Sequence, residues 1–273
     1  MDQKGHEMRI ALHGSSFVAS GFDHNPPGAW EECVTTLSSH FAPLTTFEPR
    51  FERLIDQVRE LGFSRMDVWQ PAELNWQWAE AGHVAAAVRV LRSRGVTPTS
   101  LAGEFGATRA EFTAACSLAA GIGAPLLSGT TALYHSDREF VIETLKRHHL
   151  RLAIENEVEL TPAEMLAEIG DGGDGMIGTA LDTGWYATHG YDPAQAVRDL
   201  CGHIFHVHLK DVLPGEEHIN CGYGRGCVPV EECVKALITT GYRGVISVEN
   251  HTLDHDPAEE LVRARKLLEN LLS

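Results

Sequence analysis

Short strand-like apolar runs alternate along the whole chain with longer stretches of helical periodicity, the arrangement expected of parallel strands joined by crossover helices. Eight strands are predicted, at 8 to 14, 64 to 69, 96 to 103, 124 to 129, 151 to 156, 176 to 183, 203 to 210 and 244 to 250. A helix is predicted after each, at 48 to 61, 76 to 94, 109 to 121, 137 to 149, 162 to 169, 193 to 201, 229 to 240 and 257 to 271. Thr161-Pro162, Asp192-Pro193 and Asp256-Pro257 each set a capping side chain before a proline suited to a first helical turn. Gly62, Gly95, Gly202 and Gly241 mark helix ends. Eight strand-then-helix units without a break in composition predict a (β/α)8 barrel, one domain spanning residues 1 to 273. An open doubly wound sheet would want a GxGxxG turn after the first strand, and His13-Gly14-Ser15-Ser16-Phe17 supplies none.

In four of these strands the alternation separates an aliphatic face from a smaller or more polar one. Leu152 and Ile154 oppose Ala153 and Glu155, while Ile177, Thr179 and Leu181 oppose Gly178, Ala180 and Asp182. Phe205, Val207 and Leu209 oppose His206, His208 and Lys210, and Ile246 and Val248 oppose Val245, Ser247 and Glu249. The aliphatic face suits packing against helices. The other face ends each segment in a metal-binding side chain, so Glu155, Asp182, His208 and Glu249 are expected to converge at the carboxyl-terminal mouth, where this fold keeps its active sites. Positions 155, 182 and 208 are separated by 27 and 26 residues, one strand-plus-helix unit each, which predicts equivalent heights on neighbouring strands. The next interval is 41, and its excess, Asp211 to Val228, reads as a long loop over the mouth.

Composition narrows the partners. With 22 basic and 38 acidic residues the formal charge is -16, which opposes binding to polyanions and argues against a nucleic-acid partner. The six cysteines form neither a CxxC pair nor a disulfide-dense layout, the pattern of a reduced, cytoplasmic protein. No apolar run approaches the roughly 18 residues of a membrane span, and MDQKGHEMRIALHG lacks the apolar centre of a signal peptide. The pattern is compatible with a homo-oligomer.

Three carboxylates and one imidazole make a hard, oxygen-rich donor set. It suits one divalent ion, Mn2+ first, with Mg2+, Co2+ or Zn2+ as alternatives. Any one of these residues alone could cap a helix or pair with a basic side chain. Together, three carboxylates at one mouth repel strongly, and a bound cation is the simplest compensation.

The order of Glu155, Asp182-Thr183-Gly184, His206-Val207-His208-Leu209-Lys210-Asp211, Gly222-Tyr223-Gly224-Arg225-Gly226, Gly241-Tyr242-Arg243-Gly244 and Ser247-Val248-Glu249-Asn250 resembles the xylose-isomerase-like TIM-barrel superfamily. That superfamily comprises sugar isomerases and epimerases and also holds inosose dehydratase and endonuclease IV. The resemblance implies that Glu155, Asp182, His208 and Glu249 ligate the metal, that Glu155 and Glu249 form an acid/base pair, and that Arg225 contacts substrate. The implied activity is metal-dependent isomerisation or epimerisation of a small ketose or related polyol ketone through an enediolate. A dehydratase of keto-sugars or keto-inositols is the alternative, sharing the same α-proton abstraction. The resembling ketose epimerases and endonuclease IV carry a histidine three positions after the strand-six aspartate, and this chain has Trp185 there. With the charge of -16, Trp185 argues against an endonuclease IV-like phosphodiesterase.

Further candidates follow from parity and loop position. Lys210 pairs with a ligand carboxylate or polarises a substrate carbonyl. Glu104 reaches sugar hydroxyls or caps the next helix, and His13 at the end of strand one stands in a similar balance. His206, a layer deeper than His208, serves better as a supporting residue. Trp69, Trp76, Trp78 and Trp185 offer flat walls for sugar CH faces, or ordinary packing. His189 and His218 lie on loops near the mouth. Few inward basic residues favour an unphosphorylated sugar or polyol substrate.

Overall fold

Eight parallel strands close into a barrel in the computed structural model, which describes residues 8–22, 26, 28–215, 217–253 and 255–273. In chain order they are β1 (Arg9–His13), β2 (Arg65–Trp69), β3 (Thr97–Glu104), β4 (Leu126–Thr130), β5 (Arg151–Glu155), β6 (Ile177–Asp182) and β7 (Ile204–Leu209). A short antiparallel ribbon of β8 (Asp211–Val212) and β9 (Asn220–Cys221) precedes the last barrel strand, β10 (Val245–Val248), which pairs with both β7 and β1. The helices are α1 (Trp30–Phe41), α2 (Leu44–Glu60), α3 (Ala81–Arg94), α4 (Arg109–Ile122), α5 (Leu133–Ser136), α6 (Arg138–His148), α7 (Pro162–Ile169), α8 (Thr183–Thr188), α9 (Pro193–Asp199), α10 (Val230–Thr239) and α11 (Ala258–Leu271). The chain is therefore a (β/α)8 TIM barrel. No helix among the described residues is long and apolar enough to cross a membrane.

The aliphatic strand faces do what the alternation demands. Leu152, Ile154, Leu181, Val207, Leu209 and Val248 are buried in the shell between strands and helices. Inside the barrel, Leu126, Ala153 and Ala180 pack with Phe205. Phe205 was expected on the outer face, beside Val207 and Leu209. A register shift between Thr179 and Ala180 pairs them with Ile204 and His206, so Phe205 is the bulged residue and its ring turns over Gly178, where a Cβ would lie 2.7 Å from it. Nearer the mouth the interior becomes polar, with Asp67, Ser100, Ser128, His206 and Ser247 all buried.

Several elements differ from the pattern reading. The predicted helix at 48 to 61 begins earlier, at Leu44, so Pro49 lies inside α2 rather than in its first turn. Helix α1 is an element that the strand-then-helix pattern does not predict; Cys33, Leu37 and Phe41 are its buried stripe at four-residue spacing. Pro257 is the residue before α11, and the Asp256 carboxylate accepts from the Ala258 amide at 2.9 Å. The segment from 211 to 228 is not simply a loop. Beyond the ribbon, the Asp211 carboxylate accepts from the amides of Gly224, Gly226 and Val228 and ties the glycine-rich turn down.

Candidate active site

Asp182 and His208 are register partners on β6 and β7, so these two stand at one height. Glu155 pairs with Ala180, and His208 pairs with Ser247, two residues before Glu249. The equal heights expected for Glu155, Asp182 and His208 thus hold only for the last two, because barrel strands are staggered. The side chains still converge: one donor atom from each of Glu155, Asp182, His208 and Glu249 lies within 4.8 Å of the others.

The local backbone explains how each donor is held. Asp182 ends β6 and caps α8, its Oδ1 accepting from the amides of Gly184 at 2.7 Å and Trp185 at 3.0 Å. That leaves Oδ2, which is ion-paired with Lys210 Nζ at 2.8 Å. Asn156 ties β5 to β6, accepting from the Asp182 amide at 2.7 Å and donating to its carbonyl at 3.1 Å. Lys210 Nζ also reaches Glu249 Oε1 at 3.1 Å, and Ser15 Oγ donates to the same oxygen at 3.2 Å. His13 Nδ1 and His251 Nε2 face that oxygen at 3.7 and 3.5 Å. His208 is fixed by Glu155 Oε1 at 2.9 Å from Nδ1 and by Ser128 Oγ at 3.0 Å from Nε2.

The charges are strongly polarised. Burial disfavours the charged form of His208, but Glu155 and Glu249 outweigh it and push the imidazole up to about 10. Burial likewise disfavours the charged form of Lys210, but Asp182 and Glu249 outweigh it and hold the ammonium above its usual range. Burial opposes ionisation of Glu249, yet His13, Lys210 and His208 hold its carboxyl well below the usual range. Asp182 is lowered in the same way, against burial, chiefly by Lys210. Burial lowers His13 despite Glu249, and burial with the Lys210 charge lowers His251 to about 3.

These residues fit a divalent ion. Glu249 Oε2 is buried and makes no hydrogen bond, facing His208 Nδ1 at 3.7 Å. An oxygen kept dry without a donor is costly unless a cation meets it. Three carboxylates and an imidazole supply the oxygen-rich set that Mn2+ or Mg2+ favours. His13, Asp67 and His208 form a second close group. There, however, Asp67 Oδ1 already accepts from Thr99 at 2.7 Å and Ser100 at 2.8 Å, and Oδ2 meets His206 Nε2 at 2.9 Å and Ser247. This network braces His208 from below, with the His206 ring 5.2 Å away, edge-on.

The remaining sequence candidates are dispersed. His13 is 4% exposed and its ring lies 4.8 Å from that of His208. Glu104 ends β3 and is exposed; it does not cap the next helix, because Thr108 and Glu111 form the capping box of α4. Arg225 Nη1 is paired with Glu260 Oε1 at 2.8 Å, and its side chain is 68% exposed. Trp185 stacks on His218 at 3.6 Å, and His189 lies on Trp185 at 5.7 Å. His218 Nε2 is buried without a partner, while Nδ1 meets Thr188 Oγ1 at 2.8 Å. Trp76 and Trp78 donate to the Glu104 carbonyl and Ser38 Oγ.

Sequence reasoning missed Ser15, Asp67, Ser128 and His251. The alternation in Arg65-Met66-Asp67-Val68-Trp69 and in Leu126-Leu127-Ser128 carries the signal for two of them, a polar residue on the inward face. Ser15 and His251 lie beyond strand ends, where alternation no longer applies.

Comparison with known proteins agrees with the fold. The L-ribulose-5-phosphate 3-epimerase UlaE of Shigella boydii serotype 18 is 42% identical over 66 residues, 23% of this chain and only 22% of that protein. The structure of an L-ribulose 3-epimerase superposes with TM-score 0.68 at 18% identity, covering 97% of this chain and 94% of the other. A probable 3-DHS dehydratase, AsbF of Bacillus anthracis, superposes with TM-score 0.64 at 15% identity, covering 96% and 99%. Residues 55–271 match the model of the xylose isomerase-like TIM barrel, and the chain belongs to that family.

Proposed function

We propose that the chain is a metal-dependent isomerase or epimerase acting on a small ketose or related polyol ketone. The observation that carries this reading is the placing of Glu155 and Glu249 around one cation-binding cluster, at the ends of β5 and β10, the strands that flank β6 and β7. Glu155, Asp182, His208 and Glu249 would hold the ion, Mn2+ by the hardness of the set. When bound, the ion would supply a positive centre for the carbonyl and neighbouring hydroxyl and offset the charge that develops as the α-proton leaves.

The protein's own residues have distinct tasks. One glutamate takes the α-proton and the other returns one from the opposite side, the pairing that inverts or relocates a hydroxyl-bearing centre. Ser15, His251 and Lys210 hold Glu249 Oε1, which leaves Oε2 as its free face. Ser128 and Glu155 hold the two ring nitrogens of His208, and the His206 ring, fixed by Asp67, packs edge-on against it. Lys210 and Arg225 are both paired with carboxylates, which favours an unphosphorylated substrate.

A lyase acting on keto-sugars or keto-inositols is the second reading, supported by His218. Its unpartnered Nε2, beside Trp185, could serve a departing hydroxyl. A panel of keto-sugars and keto-inositols incubated with the Mn2+-loaded protein separates the two. A new ketose or aldose of unchanged mass supports isomerisation, loss of water supports the lyase, and neither, across the panel, counts against both.

A further inference from the structure

A cavity of about 270 Å3 lies beside the barrel, between α1, α2, the turn after β1 and the segment after β2. None of Glu155, Asp182, His208 and Glu249 lines it. Its walls are apolar, built mainly by Phe17, Val18, Leu37, Phe41, Leu54 and Trp69. One buried polar group lines it. Glu73 is 3% exposed, its Oε2 accepts from the Trp69 amide at 2.8 Å, and its Oε1 has no hydrogen-bond partner. The carboxyl is pressed against Gly14, where any Cβ would come within 2.4 Å of Oε1, so only glycine leaves room for it. Burial pushes Glu73 up to about 8, and near neutrality it is mostly a neutral carboxylic acid able to donate.

Other lining residues are cationic. Arg50 and Arg53 come from consecutive turns of α2, and both charges act on His40 at the end of α1. Arg50 Nη1 donates to the His40 carbonyl, and among the described residues neither arginine is ion-paired with a carboxylate. In a chain with 38 acidic and 22 basic residues, two arginines that line an apolar cavity and meet no carboxylate among the described residues are open to an anion. An apolar chamber with a few convergent polar groups is the usual form of a small-molecule site, and paired guanidinium groups suit a carboxylate.

We infer that this cavity is a second binding site, distinct from the barrel mouth, for a small carboxylate with an apolar ring or short chain. The carboxylate meets Arg50 and Arg53, and the apolar body fills the space between Phe17, Leu54 and Trp69. Glu73 offers a hydrogen bond to a polar substituent on that body. The site needs neither the metal nor the sugar chemistry of the mouth.

Benzoate is the probe, with benzamide as its uncharged counterpart and inorganic phosphate as a bare anion. Calorimetry measures affinity for the chain of 273 residues, and amide and indole NMR shifts of Gly14 and Trp69 locate the ligand. The expected result is saturable benzoate binding at those two residues. Benzamide and the Arg50→Gln/Arg53→Gln double variant should each weaken it by about tenfold or more, the weight of a charge-assisted hydrogen bond. Both arginines lie outside the core, so the double variant should keep its melting temperature. Leu54→Trp, which fills the chamber, should abolish binding. Equal affinity for benzamide, unchanged affinity in the double variant, phosphate binding as tightly as benzoate, or no saturable binding at all would each overturn the proposal.

Discussion

Replacing Lys210 by methionine tests how the mouth balances its charge. The ammonium is 2% exposed as a residue and stands 2.8 Å from Asp182 Oδ2 and 3.1 Å from Glu249 Oε1. In the metal-free protein its loss leaves two buried carboxylates without their closest cation, a change that costs about 3 to 5 kcal/mol. For a chain of this size that lowers Tm by roughly 10 °C. Metal binding should move the opposite way. Two cations on one carboxylate lie roughly 4 Å apart, where a unit pair at an effective dielectric constant of about 20 repels by about 4 kcal/mol and a divalent ion by about twice that. Rearrangement reduces the figure, but even about 2 kcal/mol tightens Kd about 30-fold. Competition against a fluorescent chelator gives Kd, and melts with and without Mn2+ give the stabilities. A Lys210→Met protein with unchanged metal-free Tm, or with weaker metal binding, would refute this charge balance.

Three further outcomes follow from the same geometry. Metal affinity should rise with pH, because His208, pushed up to about 10, carries a proton that the ion must displace; Kd measured at about pH 6.5 and pH 8.5 should fall by up to tenfold per unit, and a flat profile would contradict it. Glu73→Gln should stabilise the protein at neutral pH. The carboxyl's folded value of about 8 lies above its ordinary 4.5, so stability is full below about 4.5 and is lost as pH rises through about 8; the loss at pH 7 is on the order of 3 kcal/mol, less about 1 for the new amide group, and urea midpoints across pH should diverge from wild type only above about 5. Asp67→Ala should lower urea stability by about 3 kcal/mol, since it takes the shared acceptor from His206, Ser100 and Ser247 in the barrel interior and leaves Thr99 only the Met66 carbonyl, and a loss below about 1 kcal/mol would show that the network does not brace the site.

The barrel and the four converging donors were legible because both rest on period-two alternation, which a buried parallel strand must obey. Glu155, Asp182, His208 and Glu249 share a parity, and parity alone brings them to one mouth. The departures arise where alternation is broken or does not apply. The bulge at Phe205 turns a ring expected outside into the barrel, and only the pairing with β6 shows it. Equal sequence spacing could not show the stagger that sets Glu155 opposite Ala180 rather than Asp182. Lys210 was readable as an inward cation, but not as a bridge between Asp182 and Glu249, because side-chain reach is not written in the alternation. Ser15 and His251 follow strand ends, and the Asp211 contacts to the glycine-rich turn are set by backbone amides that carry no sequence signature. The side cavity depends on how α1 and α2 lean on the turn after β1, a tertiary matter.

The central claim is that Glu155 and Glu249 move the substrate's α-proton at a metal-held carbonyl. Turnover of the substrate identified from the keto-sugar panel, run in D2O with metal content measured beside the rate, tests it most directly. Wild type should place deuterium on the carbon next to the carbonyl. Metal-loaded Glu155→Gln and Glu249→Gln should each lose that exchange by roughly 10² to 10⁴-fold, the usual weight of general acid/base catalysis. Undiminished turnover in both metal-loaded variants would contradict the account.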